Sequence, residues 1–171
     1  SETLLGHIVK TEAMRGSEFM EGRLLKRTEK WLQQLTEMLE LMQEAEVFQK
    51  KWLELEPTFG EAAAIEFKEL KLQVAINRHT MPTSVDQYKT VTKFWESTMQ
   101  SVQDDPSLTQ NLAYQGNIKQ EFQTAVRTLA RIEEALEVYV DEQKAKALEA
   151  QERRARHAAR GMNTQATSRA D

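Results

Sequence analysis

An apolar seam with alternating spacings of four and three residues constrains this chain most. It begins at Leu24, reaches Trp52 and ends shortly before Pro57. Such spacing is the heptad pattern of a helix that packs against other helices. Proline lacks a backbone donor and disfavours helical geometry in the preceding residue, so we expect the helix to end at Glu56. The seam positions are Leu24, Thr28, Trp31, Leu35, Met38, Met42, Ala45, Gln49, Trp52 and Glu56.

Three further patterns extend the helical prediction. Leu25, Leu32 and Leu39 widen the first seam beyond the needs of a two-stranded coiled coil, which favours a bundle. Strong helix formers predict a second helix over 61–77, and four-three spacing predicts helices over 84–103 and from Asn117 onward. Short helices are expected over 3–14 and 107–114. The predicted fold class is all-α: an elongated bundle of about four to six helices, with long antiparallel heptad-patterned helices.

Capping residues suggest where the later helices begin and end. Ser84 with Gln87 forms the pattern of a capping box, and Asp105 can cap the short helix after it. Pro106 suits the first position of that short helix, and Gly116 its C-terminal cap.

The apolar pattern divides the chain into three parts. Residues 1–16 contain two glycines and form an N-terminal segment, expected as a short helix, while residues 17–144 carry the seams of a helical domain. Residues 145–171 contain Arg153, Arg154, Arg156 and Arg160 but few apolar residues, so we expect a basic, largely solvated or disordered tail.

Composition excludes several kinds of site. The chain has no cysteine, which rules out disulfides and thiolate metal sites, and its six glycines are isolated, so no phosphate-binding loop is present. His7, His79 and His157 lie too far apart to suggest a metal site. No catalytic residue, cofactor or metal is predicted. With a net charge of −4 and no apolar run of membrane length, neither specific nucleic-acid binding nor a membrane span is expected, and a cytosolic location is the default.

The stretch from Gln49 to Phe59 resembles the dynein heavy chain, where the tail passes into the linker that lies across the AAA+ ring. The pattern Gln-x-x-Trp-Leu-x-Leu-Glu-Pro-x-Phe is present in full. The similarity continues on both sides and covers about residues 30–144. The residues that carry it are Trp31, Leu35, Gln49, Trp52, Leu53, Leu55, Glu56, Pro57, Phe59, Pro82, Tyr88, Trp95, Met99, Pro106, Gly116, Leu136 and Tyr139.

The sequence departs from that family at three places. Ala45 stands where the family has a tryptophan, and the connection from Phe59 to Pro82 is roughly a dozen residues longer than in the family. The basic and aromatic run that comes after Tyr139 in the family is replaced by Ala145-Lys146-Ala147-Leu148-Glu149.

The resemblance implies a non-catalytic mechanical module that transmits force between tail and motor ring in microtubule-based movement. Its implied partners are the AAA+ ring, the tail and, indirectly, microtubules, at a cytoplasmic location on the cytoskeleton or in a cilium axoneme. The alternative is a free-standing, spectrin-like helical scaffold that binds a partner protein.

The three tryptophans, Trp31, Trp52 and Trp95, are expected in the core because large aromatic rings on a helical seam dominate core energetics. Trp52 is predicted to be the position most sensitive to truncation.

Overall fold

The computed structural model describes residues 2–60 and 63–170, and this part of the chain is mostly helical. Three α-helices span α1 (Glu2–Phe59), α2 (Pro82–Asp104) and α3 (Leu112–Ala170). An antiparallel hairpin of β1 (Ala63–Phe67) and β2 (Leu72–Ile76) connects α1 to α2, and short 3-10 turns occupy Lys68–Leu70 and Pro106–Gln110. The predicted helical class is therefore right, but the described residues form three α-helices rather than four to six.

The helices run up, down and up. Phe59 of α1 stacks on Tyr88 near the start of α2, whereas Phe48 contacts Trp95 farther along α2, so these two helices are antiparallel. Against α3, by contrast, later residues of α1 contact later residues of the partner helix: Glu40 pairs with Lys119, and Lys51 pairs with Glu133. Helices α1 and α3 are thus parallel neighbours, and the expectation of antiparallel long helices holds only for their contacts with α2.

The two long helices extend beyond the bundle at opposite ends. Gln34 is the first described side chain of α1 that is half-buried, and every described side chain of α3 after Ala147 is exposed. The Lys119–Glu40 ion pair places these two residues at the same height along the bundle. With a rise of 1.5 Å per residue, the distance from the start of α1 to the end of α3 is about 130 Å. The molecule is an elongated rod with a packed middle.

The core lies where all three helices and the hairpin meet. Its side chains come from every one of these elements, and the α3 seam is buried as its spacing predicts. The buried apolar residues are Phe48, Leu55, Phe59, Val74, Ile76, Met81, Tyr88, Val91, Phe122, Ala125, Leu129 and Ile132.

The helix predicted over 61–77 is wrong, because residues 63–76 form the hairpin; residues 61 and 62 lie outside the described residues. Ile65 pairs with Val74 and Phe67 with Leu72, so the apolar side chains alternate along both strands. That two-residue period is the strand pattern, and it outweighs the helix propensity of the alanine and glutamate residues around it. Lys71 takes the left-handed conformation (φ 49°) that closes the turn.

Helix α1 does not end at Glu56 as predicted, but continues through Pro57 to Phe59. Proline removes one hydrogen bond to the residue four positions earlier. Because Pro57 lies in the last turn of α1, only two helical residues follow the missing bond. The Gly60 amide still donates to the Glu56 carbonyl at 2.7 Å, so the final turn closes normally.

Two other predicted helix boundaries differ. Helix α2 begins at Pro82 with no side-chain cap, and Ser84 is buried inside its first turn rather than capping it. Proline at the first position already lacks the donor that a cap would satisfy. Gly116 lies inside α3, which starts at Leu112, while Asn111 Oδ1 accepts from the amides of Ala113 and Tyr114.

Asp105 acts as a cap as predicted, accepting from the Ser107 amide at 3.1 Å. The short helix predicted over 107–114 is wrong, because a 3-10 turn occupies Pro106–Gln110 and α3 begins at Leu112. At the other end of the chain, the predicted short N-terminal helix is the first part of α1, which passes Gly6 and Gly16 without a break. The division into 1–16, 17–144 and 145–171 stays a prediction.

Candidate interaction surfaces

An aromatic cluster fastens the three helices together. Phe48 of α1 is completely buried, and its ring centroid lies 5.2 Å from Trp95 of α2 and 5.5 Å from Phe122 of α3. Phe94 meets Phe122 edge-on at 5.2 Å. Edge-to-face and tilted pairs at such distances are the favoured arrangements of aromatic rings. Phe48 is not among the seam positions from Leu24 to Glu56, so its central position was missed.

Trp52 lies at the margin of this cluster, where it is half-buried. Its indole Nε1 donates to Thr92 Oγ1 at 2.9 Å, and the Tyr88 hydroxyl donates to the Trp52 carbonyl at 3.3 Å. Burial, with a smaller contribution from the nearby Glu56 carboxylate, raises the pKa of Tyr88 to about 12. Trp52 therefore links α1 to α2 by polar contacts as well as by packing.

The other residues that carry the family resemblance are divided between the core and the surface. Leu55, Phe59 and Tyr88 are buried, while Trp95, Leu136 and Tyr139 are half-buried against the core. Gly116 is half-buried within α3. The exposed members are Trp31, Leu35, Gln49, Leu53, Glu56, Pro57, Pro82, Met99 and Pro106. The structure brings the Trp52 to Phe59 stretch together with Tyr88 and Trp95, whereas Trp31 and Leu35 lie apart.

The expectation that Trp31 lies in the core is wrong, because its side chain is 61% exposed. It belongs to a row of exposed apolar side chains on α1 that we call the outer stripe. Contiguous exposed apolar surface of this kind marks interaction sites in soluble proteins. The outer stripe consists of Leu24, Leu25, Trp31, Leu32, Leu35, Leu39 and Met42.

The 3.6-residue period of the α-helix explains why the seam on α1 divides into an exposed and a buried half. A straight helix drifts by about 20° per heptad relative to a strict seven-residue repeat. Between Leu24 and Trp52 the drift reaches about 80°, so the start of the seam points outward and its end points toward α2. Met99 on α2 is also exposed, although it belongs to the residues that carry the family resemblance.

Polar pairs fix the register of α1 against α3. Lys119 Nζ donates to Glu40 Oε2 at 2.5 Å, Gln123 Nε2 donates to Glu44 at 3.2 Å, and Lys51 bonds Glu133 at 3.4 Å. The hydrogen bond to Glu40 raises the pKa of Lys119 above its ordinary value. The acidic residues Glu40 and Glu44 of α1 thus have partners on the facing helix.

The hairpin packs against α3 beyond the end of α1. Lys144 Nζ lies 4.3 Å from the centroid of the Phe67 ring, a cation–π contact, and Gln151 Nε2 reaches the Leu70 carbonyl at 3.5 Å. The connection between Phe59 and Pro82 thus contains a two-stranded hairpin that contacts α3, rather than another helix.

A groove of about 900 Å³ runs between α2 and α3. Its walls are largely threonine, glutamine and acidic side chains, with Val91 and Phe94 at its base. The groove offers hydrogen-bonding groups but no clustered cations or reactive pair.

Other features carry no recognisable chemistry in the described part of the chain. No three histidine or acidic side chains there converge on a point that would fit a metal ion, and the side chain of His7 lies outside the described residues. Arg153 and Arg156 on exposed α3 pair with Glu149 and Glu152 one turn earlier. Within the same ranges, no helix carries an apolar run sufficient for spanning a lipid bilayer.

Comparison with known protein families gives a match over most of the chain. Residues 1–147 match the family model described as dynein heavy chain, N-terminal region 2. Comparisons with curated proteins and with solved structures found no significant match.

Proposed function

Because this chain belongs to the dynein heavy chain family, N-terminal region 2, we propose that it is a mechanical element of the motor. In this proposal it transmits force between the tail and the AAA+ ring, as the linker of that family does, and carries out no catalysis itself. The ring, the tail and indirectly microtubules are its partners, and its location is cytoskeletal, in the cytoplasm or in a cilium axoneme.

The observation that carries this proposal is the parallel, offset arrangement of α1 and α3. Each is one uninterrupted helix of nearly sixty residues, and they leave the bundle at opposite ends. A helix held by its own hydrogen-bond ladder is a stiff element, and the last third of α1 and the first half of α3 pack on a common core. Displacement at the start of α1 is thus passed through packed side chains to the end of α3.

A flexible joint tests this mechanism. In a motor heavy chain that contains this segment, a six-residue Gly/Ser insertion after Ala155 interrupts α3 beyond its contact with the hairpin. We expect ATP hydrolysis to persist while microtubule gliding slows. The matched control is the same insertion after Glu69 in the hairpin turn, which interrupts neither long helix. Unchanged gliding with both insertions would refute force transmission through α3.

The free-standing, spectrin-like scaffold is the second candidate, and the up-down-up bundle with helices leaving at both ends favours it. The two candidates differ in what the rest of the polypeptide contains. A reading frame that continues from Asp171 into an AAA+ ring supports the motor element, whereas a stop codon there supports the scaffold.

A further inference from the structure

The groove between α2 and α3 is lined by a row of residues from each helix. Both rows repeat at alternating spacings of four and three residues, which is the pattern by which helices pack side by side. The row on α2 consists of Thr83, Gln87, Thr90 and Phe94. The row on α3 consists of Asn117, Glu121, Thr124 and Thr128.

The groove is as long as three turns of an α-helix. Helices α2 and α3 are antiparallel, and the ring of Phe94 contacts that of Phe122 at 5.2 Å, so the two rows lie beside each other. Each row has the same length, which at 1.5 Å per residue is about 17 Å. A helix of a partner protein can therefore lie along the groove and contact both rows.

The threonine side chains make the groove less polar than its composition suggests. The hydroxyls of Thr90, Thr124 and Thr128 donate to carbonyls one turn earlier in their own helices, at distances of 3.0 to 3.1 Å. Because these donors are already satisfied, a partner does not have to hydrogen-bond them, and the threonine methyl groups remain available for apolar contact. Val91 and Ala125, which belong to the core, also line the groove.

Two carboxylates give the groove a negative charge. Asp86 of α2 and Glu121 of α3 line it and are exposed, and among the described side chains neither forms an ion pair and no cationic group lines the groove. Glu121 is level with Phe94, because the adjacent Phe122 contacts that ring. Asp86 lies eight residues before Phe94 on α2, so the two carboxylates are separated by about 12 Å along the groove.

We propose that this groove binds an amphipathic helix of a separate partner protein, which places two cationic side chains about eight residues apart against Asp86 and Glu121. Apolar side chains of the same helix, between the two cations, cover Val91 and Phe94. The charge of the groove selects this occupant, since an acidic helix would bring like charges together. Recognition of a helix in a groove uses anchor side chains at such helical spacings. The proposal rests on this groove alone and is independent of the force-transmitting role.

Designed peptides test the proposal on the complete chain. The first probe is an alanine-rich peptide of about eighteen residues, long enough to be helical by itself, with two lysines about eight residues apart and leucines on the face between them. The second probe carries glutamates in place of the lysines. Isothermal calorimetry should show saturable binding of the lysine peptide with a Kd below about 100 μM, and binding of the glutamate peptide at least about tenfold weaker. Absence of saturable binding, or equal affinity for the two peptides, would overturn the proposal.

Charge reversal tests the role of the two carboxylates. Glu121→Lys should weaken binding of the lysine peptide at least about tenfold, and the further substitution Asp86→Lys should make the glutamate peptide the tighter ligand. Glu137→Lys changes the charge equally at an exposed carboxylate of α3 outside the groove, so it should leave both affinities unchanged. Circular dichroism establishes that the variants keep their helical content. An equal loss of affinity in Glu121→Lys and Glu137→Lys would refute binding in the groove.

A steric block distinguishes the groove from the rest of the acidic surface. Thr124→Trp fills the groove without changing its charge and should abolish binding of the lysine peptide. Thr36→Trp on α1 is the matched control, because Thr36 is also exposed and also donates to a carbonyl of its own helix. Wild-type affinity in Thr124→Trp would contradict the proposal. A third probe, a peptide of residues 148–161 of this chain, contains the arginines of α3. Tighter binding of that peptide than of the lysine peptide would assign the groove to a second copy and overturn the proposal of a separate partner.

Discussion

The rings of Phe48 and Phe122 lie 5.5 Å apart, inclined by 56°, and together they close the contact between the parallel helices α1 and α3. Both side chains are almost completely removed from solvent. Trp95 of α2 contacts both, so one cluster of rings connects all three helices.

Truncation of Phe48, rather than of Trp52 as the sequence predicts, should therefore destabilise the bundle most, because Phe48 is fully buried and Trp52 is only half-buried. We expect Phe48→Ala to lower the free energy of unfolding by about 3 to 5 kcal/mol, from lost burial and the cavity left among aromatic rings. Trp52→Ala should cost less, about 2 kcal/mol, because that ring is already partly in solvent. Urea titration at low protein concentration measures both. Trp31→Ala is the exposed control and should change the value by no more than about 0.5 kcal/mol.

Tyr88 should make the protein sensitive to alkaline pH. Its pKa is about 12 in the folded chain and 10.0 in an ordinary environment, so between those values the unfolded state binds fewer protons. The stabilisation is complete below pH 10 and is lost as pH rises toward 12, by about 1 kcal/mol per pH unit. We expect the free energy of unfolding of Tyr88→Phe to fall less steeply over this interval. Equal slopes for the two proteins would contradict the assignment to Tyr88.

Substitution by alanine should change the stability of the protein in opposite directions at two glycines. A Cβ at Gly60 would lie 2.6 Å from the Glu56 carbonyl oxygen, so the last turn of α1 must shift, and Gly60→Ala should destabilise by about 1 to 3 kcal/mol. A Cβ at Gly116 would meet nothing within 4 Å, and α3 should gain up to about 1 kcal/mol in helix propensity. Thermal unfolding of the two variants gives the comparison. A stabilised Gly60→Ala protein would show that this turn relaxes freely.

Removal of the Phe67 ring should loosen the hairpin from α3. Phe67→Leu keeps an apolar side chain but abolishes the cation–π contact with Lys144, which is worth about 0.5 to 2 kcal/mol. Amide hydrogen exchange should then accelerate around residues 140–151 of α3, while the amides around Leu129 stay protected. Lys68→Ala, in the exposed hairpin turn, serves as the control. Unchanged exchange near Lys144 would mean that the hairpin does not support this part of α3.

The sequence predicted most of the helical content, and it predicted the buried face of α3 well. There Ile118, Phe122, Leu129 and Leu136 keep one register without interruption, and they pack on a single set of neighbours. For such a helix, periodicity alone identifies the inner face. The aromatic partner Trp95 on α2 was found for the same reason.

The outcome for α1 was mixed because it has apolar residues on two faces. A heptad seam drawn from Leu24 to Trp52 crosses from the outer to the inner face, so it placed Trp31 in the core and left Phe48 beside it. The hairpin was missed because the Ala-rich run after Gly60 has high helix propensity. The alternating pattern Leu72-Gln73-Val74-Ala75-Ile76 was the signal for β2.

The offset of α1 and α3 along their axes determines how the contacts between them resist a pulling force. A pull on the start of α1 against the end of α3 draws two parallel helices past one another along their axes. The contacts of Glu40, Glu44 and Lys51 with α3 are then strained together in shear, because none of them can open before the others. If both helices were pulled apart from the same end, the contacts would break one after another, beginning at that end. The rod is therefore built to resist stretching far better than peeling, with its strength set by the summed interface between α1 and α3.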